Sequence, residues 1–285
     1  MDIDIADLND HLNKNESNVN ELRPDCEKKI IWANEPGIKS TTSVVYIHGF
    51  SATSFECSPV IEMVAEKLAA NLFFTRLTGH GQDGRALGEA SFEEYMDDTL
   101  EAIEIGKTIG DEVIVIGCST GCSLIHLALN QGASIKSAIY IAPNFGPKSL
   151  KGKSLRLPGA DFFVPLIFGK THSFTPKNNE HARCWTTSYP TKALFAVRDT
   201  VLAAHQVKHS EIKIPMLFWF SDEDKIVNAK WTRKIASQMG DNVTLNNPTL
   251  SDQDDPAHHC ILGNIMSPSQ TNNGVEKILN WLKNN

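Results

Sequence analysis

Five short runs of consecutive apolar residues recur along this chain of 285 residues, with helix-like stretches between them. Within each run the apolar residues do not alternate with polar ones, which is typical of strands buried on both faces of a parallel sheet. The runs cover residues 44–47, 72–74, 113–116, 138–142 and 216–220. Strands of this kind need helices on both sides, so the sequence predicts an α/β fold with a mainly parallel central sheet.

The stretches between the runs carry helix signals. Ser91 and Glu94 form a capping-box pattern at the start of a stretch whose apolar residues recur at helical spacing. Similar apolar spacing occurs at residues 60–68, 124–129 and 275–282. The alternation of strands and helices supports the α/β prediction.

The alternation breaks between residues 146 and 190. This segment contains five prolines and the apolar cluster 162–168. An insertion of this length within an α/β domain is usually functional. We therefore expect a small cap or lid at 146–190, a core built from 29–145 and 191–285, and an N-terminal extension at 1–28 that packs on the outside.

Composition narrows the class of protein. The net charge of −7 argues against general nucleic-acid binding, which requires a basic surface. No apolar run approaches the roughly 18 residues of a membrane span, and the acidic first residues do not resemble a signal peptide. The six cysteines form no CxxC pair and are expected to be reduced thiols. These features favour a cytoplasmic protein, and they indicate nothing about its oligomeric state.

The third run ends in a Gly-x-Ser-x-Gly sequence, with Ser119 between Gly117 and Gly121. A buried strand, this turn and a following helix form the nucleophile elbow, which projects the central side chain above the sheet. The helix N-terminus at that point favours developing negative charge. Cys118 and Thr120 flank the centre and are expected to point sideways, which leaves Ser119 as the nucleophile.

Two phosphate-binding alternatives fit this stretch less well. The dinucleotide fingerprint requires G-x-G-x-x-G, but Ser119 stands where its second glycine should be. It also requires an acidic residue after the next strand, and the run 138–142 is followed by proline instead. A phosphate loop would need Gly-Lys-Ser/Thr, which does not occur here. A hydrolase elbow is therefore the favoured interpretation.

A serine nucleophile of this type is followed in the chain by an acid and then by a histidine. Of the ten histidines, only His258 and His259 follow the last apolar run. The acid is expected in the loop after that run, where Asp222, Glu223 and Asp224 compete. Chain order alone leaves both choices open.

The first apolar run is followed by His48-Gly49-Phe50, a strand end and a glycine turn. Such a turn can direct a backbone N–H inward, so we expect the N–H groups of Phe50 and Thr120 to form an oxyanion hole. His48 precedes the serine in the chain and is expected to hold this loop in place. His80 is expected to order the loop after the second run.

Together these motifs resemble those of the α/β-hydrolase superfamily, in particular serine esterases and monoacylglycerol-lipase-like enzymes. The resemblance covers roughly residues 29–285 and is carried by HGFSAT, LTGHG, GCSTG and HHCILG, at 48–53, 77–81, 117–121 and 258–263. The family pattern D-x-V/I-V falls on Asp224, and the pattern H-x-x-x-G falls on His259. The resemblance thus selects these two residues as the acid and the base.

The resemblance implies acyl transfer from a small-molecule ester through a covalent intermediate on Ser119, with no metal or organic cofactor. Thioesterases, C–C hydrolases, peptidases and acyltransferases would use the same residues, and a non-catalytic protein of this fold is a further alternative. The apolar cap residues are predicted to line an acyl pocket, or else only to pack the cap onto the core. The predicted pocket residues are Phe163, Leu166, Ile167 and Phe168.

Overall fold

A seven-stranded sheet forms the centre of the protein in the computed structural model, which describes residues 3–285. The strands in the described residues are β1 (Lys29–Ile31), β2 (Ser40–Ile47), β3 (Asn71–Phe74), β4 (Gly110–Cys118), β5 (Ser137–Ile141), β6 (Thr171–Ser173), β7 (Ser188–Pro190), β8 (Met216–Trp219) and β9 (Val243–Asn246). The order in the sheet is β1-β3-β2-β4-β5-β8-β9, and only β1 runs antiparallel to its neighbour. Strands β6 and β7 form a separate antiparallel ribbon.

Eleven α-helices occur in the described residues. They are α1 (Leu8–Ser17), α2 (Val60–Lys67), α3 (Gly84–Glu89), α4 (Phe92–Ile109), α5 (Thr120–Asn130), α6 (Leu150–Ser154), α7 (Ala160–Phe168), α8 (Asn179–Cys184), α9 (Ala193–Ala204), α10 (Ala229–Met239) and α11 (Thr271–Leu282). The predicted capping box opens α4, where Ser91 and Glu94 each accept a hydrogen bond from the backbone of the other.

The two faces of the sheet are covered by different helices. Alternate residues of β2 point to opposite faces, so Val45 and Ile47 join one buried cluster while Val44 and Tyr46 join the other. The first cluster includes side chains of α1, α4, α5, α9 and α10, and the second includes side chains of α2 and α11. This arrangement confirms the predicted α/β fold with its mainly parallel sheet.

The strand register brings the functional loops together. In the parallel pair β2–β4, Ile47 lies opposite Gly117, so both strands end at the same level. Strand β5 continues the sheet beside β4 and β8 lies beside β5, also parallel. The loops after β2, β4 and β8 therefore lie at one edge, where open α/β sheets bind ligands.

The N-terminal residues pack against the core through α1. Leu8 and Leu12 are buried in the first cluster. The Glu16 carboxylate accepts two hydrogen bonds from the Arg76 guanidinium, at 2.7 and 2.9 Å, and a third from the Lys28 backbone. These contacts attach the first helix to the loop that follows β3.

Short elements make up the segment 146–190, between β5 and β8. They are α6, α7, the ribbon β6–β7 and α8. This is also where exposed apolar side chains concentrate. No helix within residues 3–285 combines the length and apolar character needed to cross a membrane.

Candidate active site

Ser119 occupies the sharp turn between β4 and α5. Its backbone has φ of 49° and ψ of −112°, an unfavourable conformation for a residue with a side chain, and its N–H donates to the Ile141 carbonyl at 2.9 Å. A Cβ at residue 121 would lie 2.2 Å from the Ile47 carbonyl oxygen, and one at residue 117 would lie 2.5 Å from Ile125 Cδ1. Glycine is therefore required on both sides of the serine by close approach.

A continuous hydrogen-bond chain joins three distant parts of the sequence. Ser119 Oγ lies 3.1 Å from His259 Nε2, and His259 Nδ1 lies 2.8 Å from Asp224 Oδ2. The second Asp224 oxygen accepts the backbone N–H groups of Ile226 and Val227, at 2.7 and 2.8 Å. The carboxylate is thus held in one orientation, and it places the imidazole proton on Nδ1 so that Nε2 can accept a proton from the serine.

The electrostatics of His259 suit a base. Burial lowers its pKa, but the charge and hydrogen bond of the Asp224 carboxylate outweigh burial, so the pKa of His259 is raised above the ordinary value of 6.5. A raised pKa makes the imidazole a stronger base, which favours proton transfer from the serine hydroxyl.

The competing acids and the neighbouring histidine point elsewhere. Asp222 accepts two hydrogen bonds from the Arg233 guanidinium, at 2.7 and 2.5 Å. Glu223 is exposed, with its carboxylate 3.8 Å from His258 Nε2. The other ring nitrogen of His258 lies 3.4 Å from Ser221 Oγ. The acid and the histidine that meet the nucleophile are the two that the family resemblance selects.

The other hydroxyl and thiol groups near Ser119 are occupied. Cys122 Sγ lies 3.1 Å from the Gly117 carbonyl, and burial raises the pKa of this thiol well above 9.0. Ser123 Oγ donates to the Asn144 carbonyl at 2.5 Å. Asn144 in turn donates from its side chain to Thr120 Oγ1 at 3.3 Å. These hydrogen bonds support the turn around Ser119.

The predicted oxyanion donors lie beside Ser119. Phe50 and Thr120 line the same cavity as Ser119 and His259. Within residues 3–285, neither backbone N–H of this pair donates a hydrogen bond to another protein group. Both N–H groups are therefore free to bind another acceptor.

Two buried histidines hold the loop that carries Phe50. His48 Nε2 accepts the Leu77 N–H at 3.1 Å, so its Nδ1 carries the proton and donates to the Gly49 carbonyl at 2.9 Å. His80 Nε2 accepts the Ser51 N–H at 3.0 Å. Burial lowers the pKa of His48 to about 4, and it lowers that of His80 as well. Both rings are neutral near pH 7, which suits the positioning role predicted for them.

A cavity of about 640 Å³ opens over Ser119. The segment 146–190 and α9 supply much of its wall, and many of the side chains they contribute are apolar. These include Val164, Phe168, Phe174, Trp185, Leu194 and Val201. The site is thus a concave pocket lined by both apolar and polar side chains, a combination found in small-molecule sites.

The sequence profile of the alpha/beta hydrolase family matches residues 44–262, most of the chain. The chain belongs to this family. No curated protein sequence matches this hydrolase significantly.

Solved structures with the same fold include several lipolytic enzymes. One of the metagenome-derived lipolytic enzymes LipS and LipT is 17% identical to this chain. The match covers 93% of this chain and 100% of the enzyme's chain, with a TM-score of 0.72. A monoacylglycerol lipase from Paleococcus ferrophilus is 18% identical, with 90% and 97% covered and a TM-score of 0.64. A soluble variant of monoglyceride lipase from Saccharomyces cerevisiae is 14% identical, with 90% of each chain covered and a TM-score of 0.64. At these identities the likeness establishes the fold of the hydrolase.

The predicted acyl pocket requires a correction. Of its residues only Phe168 lines the cavity; Phe163, Leu166 and Ile167 do not. Phe168 and Val164 lie four residues apart and share the face of α7 that points inward. Leu166 and Ile167 fall on the other side of the helix, where 67% and 66% of their surface is exposed. A helix that is apolar all round cannot present every side chain to one cavity.

Sequence reasoning missed two buried carboxyl groups of the hydrolase. Asp255 accepts the backbone N–H groups of His259 and Cys260, at 3.1 and 2.9 Å, and also the Lys177 ammonium at 3.0 Å. It therefore ties the histidine loop to the segment 146–190. The Asp-Pro dipeptide at 255–256 signals a turn but not this role.

Glu56 is the second missed group. It lies in the short 3-10 helix Ser54–Cys57 and is almost fully buried. One of its carboxyl oxygens accepts the Gly49 N–H at 2.7 Å and the Tyr46 hydroxyl at 3.1 Å. Nothing in the local sequence distinguishes this glutamate from a solvated one, because its partners come from β2 and the following turn.

Proposed function

We propose that this hydrolase cleaves carboxylic esters of small to medium acyl chains through an acyl-enzyme on Ser119. The observation that carries the proposal is the hydrogen-bond chain from Ser119 through His259 to Asp224, with distances of 3.1 and 2.8 Å. A nucleophile, a base and a group that orients the base are the requirements for covalent acyl transfer.

In the first half of the reaction, Ser119 Oγ attacks the ester carbonyl while His259 Nε2 takes its proton. The Asp224 carboxylate keeps the other ring proton in place and stabilises the imidazolium that forms. The N–H groups of Phe50 and Thr120 bind the tetrahedral oxyanion, and one such donor is typically worth about 10²–10³ in rate. The imidazolium then protonates the leaving alcohol as the bond to it breaks.

In the second half, His259 removes a proton from water, which attacks the acyl-enzyme carbonyl. The same two backbone donors bind the second oxyanion, and the proton returns to Ser119 as the carboxylic acid leaves. Every proton in this cycle passes through His259 as it moves between Ser119, the leaving alcohol and water.

The cavity supports a substrate with an apolar acyl group. Its volume of about 640 Å³ fits a small-molecule ligand. We propose that the segment 146–190 acts as a cap and that Val164 and Phe168 form part of the acyl pocket. The lipolytic activity named for several structural neighbours agrees with this substrate class.

Replacement of the nucleophile tests the proposal. We expect Ser119→Ala to lower hydrolysis of p-nitrophenyl butyrate by at least about 10³-fold, since removal of such a serine abolishes acyl-enzyme formation. A fluorophosphonate should label the wild type at Ser119 and leave the variant unlabelled, as read by mass spectrometry.

Ser123→Ala is the matched control, because Ser123 lies one helical turn further and donates to a backbone carbonyl. It should keep most of the wild-type rate. Retention of hydrolysis by Ser119→Ala within about tenfold of wild type would contradict an acyl-enzyme at this residue.

A further inference from the structure

We propose that Glu56 is a positioning residue of the oxyanion hole: its carboxyl group holds the Gly49 N–H and so fixes the direction of the Phe50 N–H. This inference rests on the proposed function. Glu56 lies outside the Ser119–His259–Asp224 chain, yet it lines the same cavity as Ser119 and His259. Burying a carboxyl group is costly unless it is hydrogen-bonded, so the partners of Glu56 show what it holds in place.

The hydrogen bonds of Gly49 carry the argument. Its N–H donates to Glu56 at 2.7 Å, and its carbonyl accepts His48 Nδ1–H at 2.9 Å. The Phe50 N–H belongs to the same planar peptide as the Gly49 carbonyl and points in the opposite direction. Fixing both polar groups of Gly49 therefore fixes the Phe50 donor.

An external anchor is needed here because residue 49 is glycine. Glycine has unusual freedom in φ and ψ, so the loop would otherwise sample several orientations of the next N–H group. A Cβ at residue 49 would lie 2.7 Å from Glu56 Oε1 and 3.2 Å from Ser119 Cβ. The glutamate, the glycine and the nucleophile are thus in direct contact, and no side chain at residue 49 could stiffen the loop instead.

The role assigned to Glu56 depends on its hydrogen-bond acceptor and not on its charge. Burial raises the pKa of Glu56, although the Gly49 N–H bond opposes this shift. A negative charge next to Ser119 would oppose the developing oxyanion, whereas an uncharged acceptor would not. An amide of the same length should therefore replace the carboxyl group, and a shorter carboxylate should not.

Three variants separate these possibilities: Glu56→Gln, Glu56→Asp and Glu56→Ala. With p-nitrophenyl acetate we expect Glu56→Gln to keep kcat within about threefold of wild type. Glu56→Asp keeps the carboxyl group but withdraws the acceptor by one methylene, so kcat should fall by about tenfold or more, with KM little changed. Glu56→Ala should lose about 10–10² in kcat for the same reason.

A second readout reports the oxyanion directly. A trifluoromethyl ketone forms a hemiketal oxyanion on the serine, so its inhibition constant should rise in Glu56→Asp by about the same factor as kcat falls. Glu62→Ala is the control, since Glu62 lies six residues further along, outside the cavity lining, and accepts the Ser58 hydroxyl at 2.6 Å. It should change neither constant.

The pair Glu56→Gln and Glu56→Asp decides the question even if Glu56→Ala fails to fold. Full kcat in Glu56→Asp would overturn the proposal. So would a loss in Glu56→Gln as large as that in Glu56→Asp, because a hydrogen-bond acceptor of the right length would then not be sufficient. An inactive wild type would instead refute the proposed esterase function.

Discussion

The edge of the sheet that carries the site and the segment 146–190 are built in opposite ways. At the sheet edge Ser119 and Asp224 are buried, and each is held by several hydrogen bonds. The segment 146–190 contains six of the ten large apolar side chains that the described residues expose: Leu150, Leu157, Phe162, Leu166, Ile167 and Phe168. Precise chemistry therefore depends on the first region, while the second is constrained mainly on the face that meets the cavity.

Glycines show the same contrast. Gly121 lies where a Cβ would overlap a backbone carbonyl oxygen at 2.2 Å, whereas nothing lies within 4 Å of a Cβ at Gly159. The backbone around Ser119 cannot move to make room for an added Cβ, because the neighbouring atoms belong to the central sheet. The contrast between the two regions can be tested by four comparisons.

The largest effect is expected from the acid. Asp224→Asn should lower kcat by about 10⁴-fold, because an amide at this position favours the wrong imidazole tautomer. Asp222→Asn, two residues away, should stay within about threefold, since Asp222 pairs with Arg233 near the surface. Steady-state kinetics with a p-nitrophenyl ester measure both, and comparable losses in the two variants would contradict the assignment of the acid.

The next effect concerns stability. Gly121→Ala should destabilise the protein by about 3 kcal/mol or more, since the added Cβ meets backbone that cannot move. Gly159→Ala has free space and should lose only about 1–2 kcal/mol, which is the cost of its left-handed backbone, with φ of 77°. Urea unfolding gives both values. Equal losses would mean that the two regions are packed alike.

The pH dependence of the reaction gives a third comparison. His259 must be neutral to accept the serine proton, and its pKa is raised, so kcat/KM should fall tenfold per pH unit below a midpoint above 6.5. Burial lowers the pKa of His181 in the cavity wall, so this residue should not set the midpoint. A pH profile of the wild type and of His181→Asn measures this. A midpoint that moves in the variant would mean that His181, and not His259, sets the acid limb of the profile.

The smallest effect concerns the acyl pocket. Phe168→Ala removes apolar surface from the cavity wall and should lower kcat/KM for p-nitrophenyl octanoate by roughly fivefold, or about 1 kcal/mol, with the acetate ester unaffected. Leu166→Ala, on the outer face of the same helix, should leave both esters unchanged and alter stability by less than about 0.5 kcal/mol. A chain-length series measures the difference. If the two variants had the same chain-length preference, the proposal that α7 forms part of the acyl pocket would be wrong.

Local patterns were sufficient to predict the fold. All five consecutive apolar runs became strands β2, β3, β4, β5 and β8, because buried parallel strands must be apolar on both faces. The position of Ser119 also followed from the sequence, since a turn this sharp requires glycine on both sides. Strands β1 and β9 are short edge strands that are less completely buried, and they carry no such signal.

Only the tertiary structure decided which groups meet. Chain order did not separate Asp222 from Asp224, and only the family resemblance favoured Asp224. In the structure, the direction of the loop after β8 turns Asp224 toward His259 and Asp222 toward Arg233. Glu56 carries no local sign of its contact with Gly49. The sequence also did not indicate which face of α7 points toward the cavity, because apolar residues occur on more than one side of this helix. Local sequence determines backbone conformation and burial, whereas contacts between distant residues depend on how the elements pack.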